Sequence, residues 1–133
     1  MHNSINLPSV YPVTGHTDFV GEGTTFVAIS GTKLNGLDFI PLALQKGAKK
    51  IVIQGDTVVS PDLKILILSY QAELEYVSDC RKALSEMSAQ ALNFPAKKLK
   101  IVAVTGTKGK TSTCYMAYHM LQALGKKVAL IST

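Results

Sequence analysis

Past Glu86 the sequence has no acidic residue. Residues 87–133 hold seven lysines and no Asp or Glu, a balance of +7, whereas residues 1–86 hold nine acids against seven bases, a balance of −2. Cysteine is scarce as well. Cys80 and Cys114 stand alone without paired spacing, which excludes a disulfide framework and reads as two reduced thiols in a cytoplasmic protein. No stretch approaches eighteen uncharged apolar residues, and the densest run, Ile65-Leu66-Ile67-Leu68, is strand-sized, so no membrane-spanning helix is expected. Residues 1–10 lack Lys and Arg and are interrupted by Pro8, which argues against a secretory signal. Internal repeats and low-complexity segments are missing too. What is present is apolar: 47% of residues, with mean hydropathy +0.20. That composition excludes a disordered or collagen-like chain. At 133 residues and 14.3 kDa, one ordinary domain fits, or a small domain plus part of another.

The basic segment raises the question of a polyanion partner. Its bases are Lys97, Lys98, Lys100, Lys108, Lys110, Lys126 and Lys127, with no Arg and no aromatics interleaved. A stacking platform for single strands is therefore missing, and nucleic acid is not an expected partner. His2, His16 and His119 share no metal-ligand spacing and are assigned no role. Cys114, Tyr115 and Tyr118 read as structural or packing residues.

Hydrophobic patterning divides the chain near residue 97. Turn residues punctuate 8–23; then Thr24 to Ile29 reads as a strand, closed by Ser30-Gly31. Asp38 is the expected cap of a helix that tolerates Pro41 in its first turn, packs Leu42 and Ala43, and ends at Gly47. Lys50 to Ile53 is the next strand. Ile65 to Leu68 and Leu74 to Val77 read as two more, and Ser78 as the cap of a helix over 79–93. That helix carries Ala83, Leu84, Met87, Ala91 and Leu92 as its apolar stripe. Pro95 stops it, and residues 96–98 form a basic linker. Beyond lie an expected strand over 99–104, a glycine loop over 105–110, a helix over 111–124 ended by Gly125, and a strand over 127–131. The expected class is α/β: a small N-terminal α/β domain over 1–97, then the first βαβ unit of a phosphate-loop ATPase domain over 98–133. One such unit cannot cover both faces of a parallel sheet, so more chain is expected downstream.

The loop carries the chemistry. Gly109-Lys110-Thr111 matches the last three positions of a phosphate loop, but the first glycine of the general G-x-x-x-x-G-K-[ST] pattern falls on Val104. A shorter form, with Gly106 three residues before Gly109, is present instead. Glycines let successive N–H groups turn toward one phosphate, and the helix that follows aims its positive end at the same anion. The residues expected at ATP are Gly106, Thr107, Lys108, Gly109, Lys110, Thr111 and Ser112. Lys110 reaches the β- and γ-phosphates as the catalytic cation, and the Thr111 hydroxyl serves Mg²⁺.

These residues resemble a known family. Thr105 to Thr113 is similar to the T-G-T-N-G-K-T-T-T signature of the Mur ligases of peptidoglycan precursor synthesis, with Lys108 where Asn is usual. Residues 22–28 resemble their P-G-D-L-F-V-A, residues 31–40 their G-x-x-x-D-G-x-D-F-I, and residues 77–84 their V-x-D-x-R-x-A-L; residues 95–100 resemble the junction before the ATPase domain. The MurE type is favoured, which adds a third residue to UDP-N-acetylmuramoyl-L-alanyl-D-glutamate. The MurF type, which adds D-alanyl-D-alanine, is next, although its loop usually reads T-G-S. The resemblance implies ATP-driven amide formation through an acyl phosphate, with the UDP end of the substrate held at Thr17, Thr32, Lys33 and Leu34. His16-Thr17-Asp18 stands where the family has D-S-R, so an arginine has become an acid. Family members also use a downstream Glu and His for metals, a carbamylated Lys and a C-terminal domain; none lies within these residues, so this chain alone is not expected to turn over. Two other readings stay open: a non-catalytic nucleotide-binding fragment, and a nucleic-acid binder using the +7 segment.

Overall fold

A computed structural model describes residues 8–31 and 34–132. The chain divides into two compact units, Met1–Lys97 and Lys98–Thr133.

The first unit is a four-stranded, wholly parallel sheet in the order β1-β2-β3-β4. Its strands are β1 (Val13–Thr14), β2 (Thr25–Val27), β3 (Lys50–Gln54) and β4 (Glu73–Val77). Parallel neighbours cannot be joined by a tight hairpin and need a crossover. Helix α1 (Ile40–Gln45) makes the crossover from β2 to β3, and α2 (Pro61–Ser69) that from β3 to β4. Strand periodicity then sorts the core into two layers. Phe26, Ala28, Ile51 and Ile53 face α1 and α2 and pack with Ile40, Ala43, Leu44 and Ile67. Val27 and Val52 face the other way, against Cys80 and Ala83 of α3 (Cys80–Ala91).

Several expectations change here. Residues 65–68 lie in α2 and not in a strand, because stronger local signals compete with their continuous aliphatic run. Ser60 Oγ accepts from Leu63 N–H at 3.3 Å and Pro61 occupies the first turn, with Asp62 beside it at the helix's positive end. The topology also requires a crossover at this point. Helical geometry turns Ile67 inward, 1% exposed, and leaves Ile65 and Leu68 at 65% and 72%.

Capping also differs by a few residues. Asn35, not Asp38, caps the 3-10 turn Gly36–Phe39 that leads into α1, its Oδ1 accepting from Leu37 N–H at 3.2 Å. The inward face of α1 is Ile40, Ala43 and Leu44, spaced i, i+3, i+4, so Leu42 points outward. Asp79, not Ser78, caps α3: its Oδ1 accepts from Arg81 N–H at 2.8 Å and Lys82 N–H at 3.0 Å. Leu92, expected on that helix's buried stripe, is exposed.

In the second unit α4 runs Lys110–Ala123, and Gly125 follows it with φ +73°. Residues 99–104 and 127–131 join no ladder among the described residues. A strand is defined by a neighbour that takes its backbone hydrogen bonds, and these segments lack one. Ile101, Val102 and Ile131 accordingly lie open to solvent. Tyr115, expected to pack, is about half exposed.

Candidate functional site

Two regions hold the residues singled out by sequence, one in each unit. In the second unit the loop after residue 104 turns into α4 at Gly109, whose φ of +75° and ψ of 1° lie in the left-handed region that only glycine enters without strain. No side chain caps the helix and no acid stands in its first turn. Lys110 is the first residue of α4, and its ammonium donates to the Gly106 carbonyl at 2.6 Å. The cation thus folds back over the mouth of the loop it follows. Thr113 donates through both N–H (3.0 Å) and Oγ1 (2.8 Å) to the Gly109 carbonyl, fixing the last loop peptide against the first helical turn. Gly106, Thr107, Lys108, Gly109, Lys110, Thr111 and Ser112 are thereby gathered around one helix start.

In the first unit a cavity of about 530 Å³ opens beside the ends of β1 and β2. Gly15, His16 and Thr17 line it from the segment after β1, Gly31, Leu34 and Gly36 from the segment after β2, with Phe26, Ile29 and Phe39 as apolar wall. Thr17 and Leu34, two of the four expected substrate residues, share this cavity. Thr32 and Lys33 lie outside the described residues, as does His2. Gly36 is required by close approach, since a Cβ there would meet Ile29 backbone atoms at 2.5 and 2.6 Å.

The β1 side of the cavity is held by polar contacts invisible to spacing. Thr14 Oγ1 accepts from His16 N–H at 3.1 Å. His16 Nδ1 accepts from Asp18 N–H at 3.3 Å and lies 3.6 Å from the Asp18 carboxylate. Lys46, at the end of α1, donates its ammonium to the Thr17 carbonyl at 2.8 Å. His16, given no role by its sequence context, thus lines the cavity and shapes the turn. Lys46 was likewise unforeseen; no motif marks a lysine 29 residues away from the carbonyl it reaches. Strand ends were the available clue, because ligands of parallel sheets gather beyond the carboxyl ends of strands.

Cys80 is buried, and desolvation, with the Asp79 charge second, pushes its thiol above the ordinary range, which disfavours a reactive thiolate. Among the described residues no group of three or more His, Cys, Asp or Glu side chains could hold a metal. No helix there is long and apolar enough to cross a membrane.

Comparison with known proteins gives two family matches. Residues 12–92 match the Mur ligase family catalytic domain, and residues 104–133 match the Mur ligase middle domain. A UDP-N-acetylmuramoyl-L-alanyl-D-glutamate–2,6-diaminopimelate ligase of Clostridium perfringens is 37% identical over 114 residues, covering 86% of this chain and 22% of the relative. A UDP-N-acetylmuramyl-tripeptide synthetase of Borreliella afzelii is 36% identical over 125 residues, covering 91% and 23%. A crystal structure of MurF ligase from Thermotoga maritima in complex with ADP superposes with a TM-score of 0.57 at 28% identity, covering 86% of this chain and 24% of that one. The chain spans about a quarter of the length of the proteins it matches.

Proposed function

The chain belongs to the Mur ligase family, and on that premise we propose that it is the nucleotide- and substrate-binding part of an ATP-dependent ligase of peptidoglycan precursor synthesis. The reaction is addition of the third peptide residue to UDP-N-acetylmuramoyl-L-alanyl-D-glutamate through an acyl phosphate. The observation that carries the ATP half is the seat of Lys110: first residue of a fourteen-residue helix, directly after a left-handed glycine, with its ammonium over the loop at 2.6 Å from the Gly106 carbonyl. A cation, a helix start without an acidic cap and a glycine loop together fit a polyphosphate.

In this reading Gly106, Thr107, Lys108 and Gly109 wrap the phosphates, and Lys110 exchanges its carbonyl partner for the β- and γ-phosphate oxygens. Ser112 closes the site from the first turn. In the same reading the Thr111 hydroxyl would hold Mg²⁺ together with the phosphate oxygens, and the ion would supply charge neutralisation to the phosphoryl group. Lys110 contributes the matching protein charge, which stabilises the transferred group as the substrate carboxylate attacks.

The first-unit cavity takes the UDP end of the other substrate, with Thr17 and Leu34 at its wall; the resemblance adds Thr32 and Lys33, which lie outside the described residues. Its apolar lining suits a base, and the Thr17 hydroxyl survives the change from D-S-R to His16-Thr17-Asp18. Relatives named as tripeptide synthetases, at 36–38% identity, favour the third-residue reaction. The 28% likeness to the Thermotoga MurF ligase supports D-alanyl-D-alanine addition as the second reading.

Titration of the chain with ADP and with ATP plus Mg²⁺ by calorimetry tests the nucleotide half. Lys110→Ala is expected to weaken binding by at least about tenfold, the scale of one hydrogen bond between charged groups, with the circular dichroism spectrum unchanged. Equal affinity of the two proteins would remove the phosphate-loop assignment.

A further inference from the structure

A second cavity, of about 380 Å³, lies at the carboxyl ends of the strands and shares Ile29 with the larger one. Its lining differs in kind. Ser30 follows β2, Asp56 and Thr57 follow β3, and Asp79 and Arg81 come from the start of α3. Gln54 ties this floor together, its amide donating to the Ser78 carbonyl and its Oε1 accepting from Cys80 N–H at 3.1 Å. That contact fixes the start of α3 to the end of β3. Asp79 spends Oδ1 on capping α3. The side chains of Asp56, Thr57 and Arg81 make no hydrogen bond or ion pair among the described residues.

The charge at this cavity decides between ligand parts. Two carboxylates against the chain's single arginine leave one net negative charge, which opposes a diphosphate. A hydroxyl both donates and accepts, so it is matched by carboxylate acceptors standing beside guanidinium and hydroxyl donors. An acid at a strand's carboxyl end that takes a ribose hydroxyl is a recurrent solution in parallel sheets.

We propose that this polar cavity is a diol subsite: Asp56, with Thr57 and Arg81, takes the ribose hydroxyls of a nucleotide whose base occupies the adjoining apolar cavity. The proposal rests on the reading of that larger cavity as the uridine nucleotide site. It assigns sugar discrimination to residues after β3 and in α3, away from the His16-Thr17-Asp18 segment.

The test is a titration of the full ¹⁵N-labelled chain with UDP and with 2′,3′-dideoxy-UDP, following backbone resonances. Thr17 and Leu34 report the larger cavity, and Thr57 and Arg81 the smaller. UDP is expected to move both sets. The dideoxy nucleotide should move the first set only and bind about tenfold more weakly, the scale of a hydrogen bond to a charged acceptor. Asp56→Asn should lower UDP to the affinity of the dideoxy nucleotide and leave the latter unchanged. Equal affinity of the two nucleotides for the original chain, with Thr17 and Leu34 moving, would overturn the diol subsite and leave the nucleotide reading standing. Movement of neither set with either nucleotide would remove both.

Discussion

The two units spend their apolar residues in opposite ways. In the first, nearly every large aliphatic residue of β2 and β3 is below 2% exposed, because helices cover both faces of the sheet. In the second, Met116 and Met120 on α4 and Leu124 just after it are 64–71% exposed, and Ile101, Val102 and Ile131 are 71–99% exposed. Both stretches are similarly rich in apolar side chains. Burial is therefore a property of neighbours and not of composition. A helix forms from bonds within its own segment, so α4 forms with its apolar residues exposed, whereas residues 99–104 and 127–131 hold strand-like sequence that joins no ladder among the described residues.

The contrast can be broken most forcefully in the first unit's core. Ile51→Ala, at a residue with no exposed surface, should cost about 2–5 kcal/mol, seen as a lower urea midpoint by far-UV circular dichroism. The matched truncation in the second unit, Met116→Ala, should shift that midpoint by less than about 0.5 kcal/mol. Comparable losses at both positions would mean that α4 is covered in solution. A smaller effect is expected at the helix cap. Asp79→Ala removes the acceptor for two N–H groups and should cost about 1 kcal/mol, with Asp79→Asn restoring most of it.

The smallest effect sharpens the boundary between core and surface. Lys50 reaches Glu75 at 2.6 Å and Glu73 at 3.4 Å across β3 and β4. Chiefly through the Glu75 bond, its pKa is raised above the ordinary 10.5. A raised lysine contributes in full below its ordinary value and loses that contribution as pH climbs through the raised one. Since the Lys50 and Glu75 side chains are each about a third exposed and Glu73 two-thirds, solvent screening keeps the contribution below about 1 kcal/mol. Lys50→Met should lower the melting temperature slightly at pH 8, and the gap to the original chain should close as pH rises past the raised lysine pKa.

Legibility followed the range of the interactions. Strand β3, the helix over 80–91, the glycine loop and α4 all announce themselves within a few residues, through periodicity, caps and glycines. Strand β1 escapes because two residues between Pro12 and Gly15 show no period. Helix α2 reads as a strand in sequence because four consecutive aliphatics satisfy a strand pattern, while Ser60-Pro61 supplies a helix start that carries more weight. At the candidate sites the proposed phosphate loop around Lys110 is a contiguous stretch, so its assignment draws on sequence alone. The approach of Lys46 to Thr17 and the joining of Ile29 to two cavities could not be read that way, since both depend on how loops from separate strands converge.

What the sequence determined by itself was local and chemical: an α/β alternation, a glycine–lysine loop leading into a helix, an acid-free basic segment, and family signatures read in order. The tertiary structure alone decided which strands found partners, which face of each helix turned inward, and which distant side chains met at the strand ends. The physical reason is that a cap or a turn needs only its neighbours along the chain. A sheet ladder or a cavity wall forms only where separate segments come together.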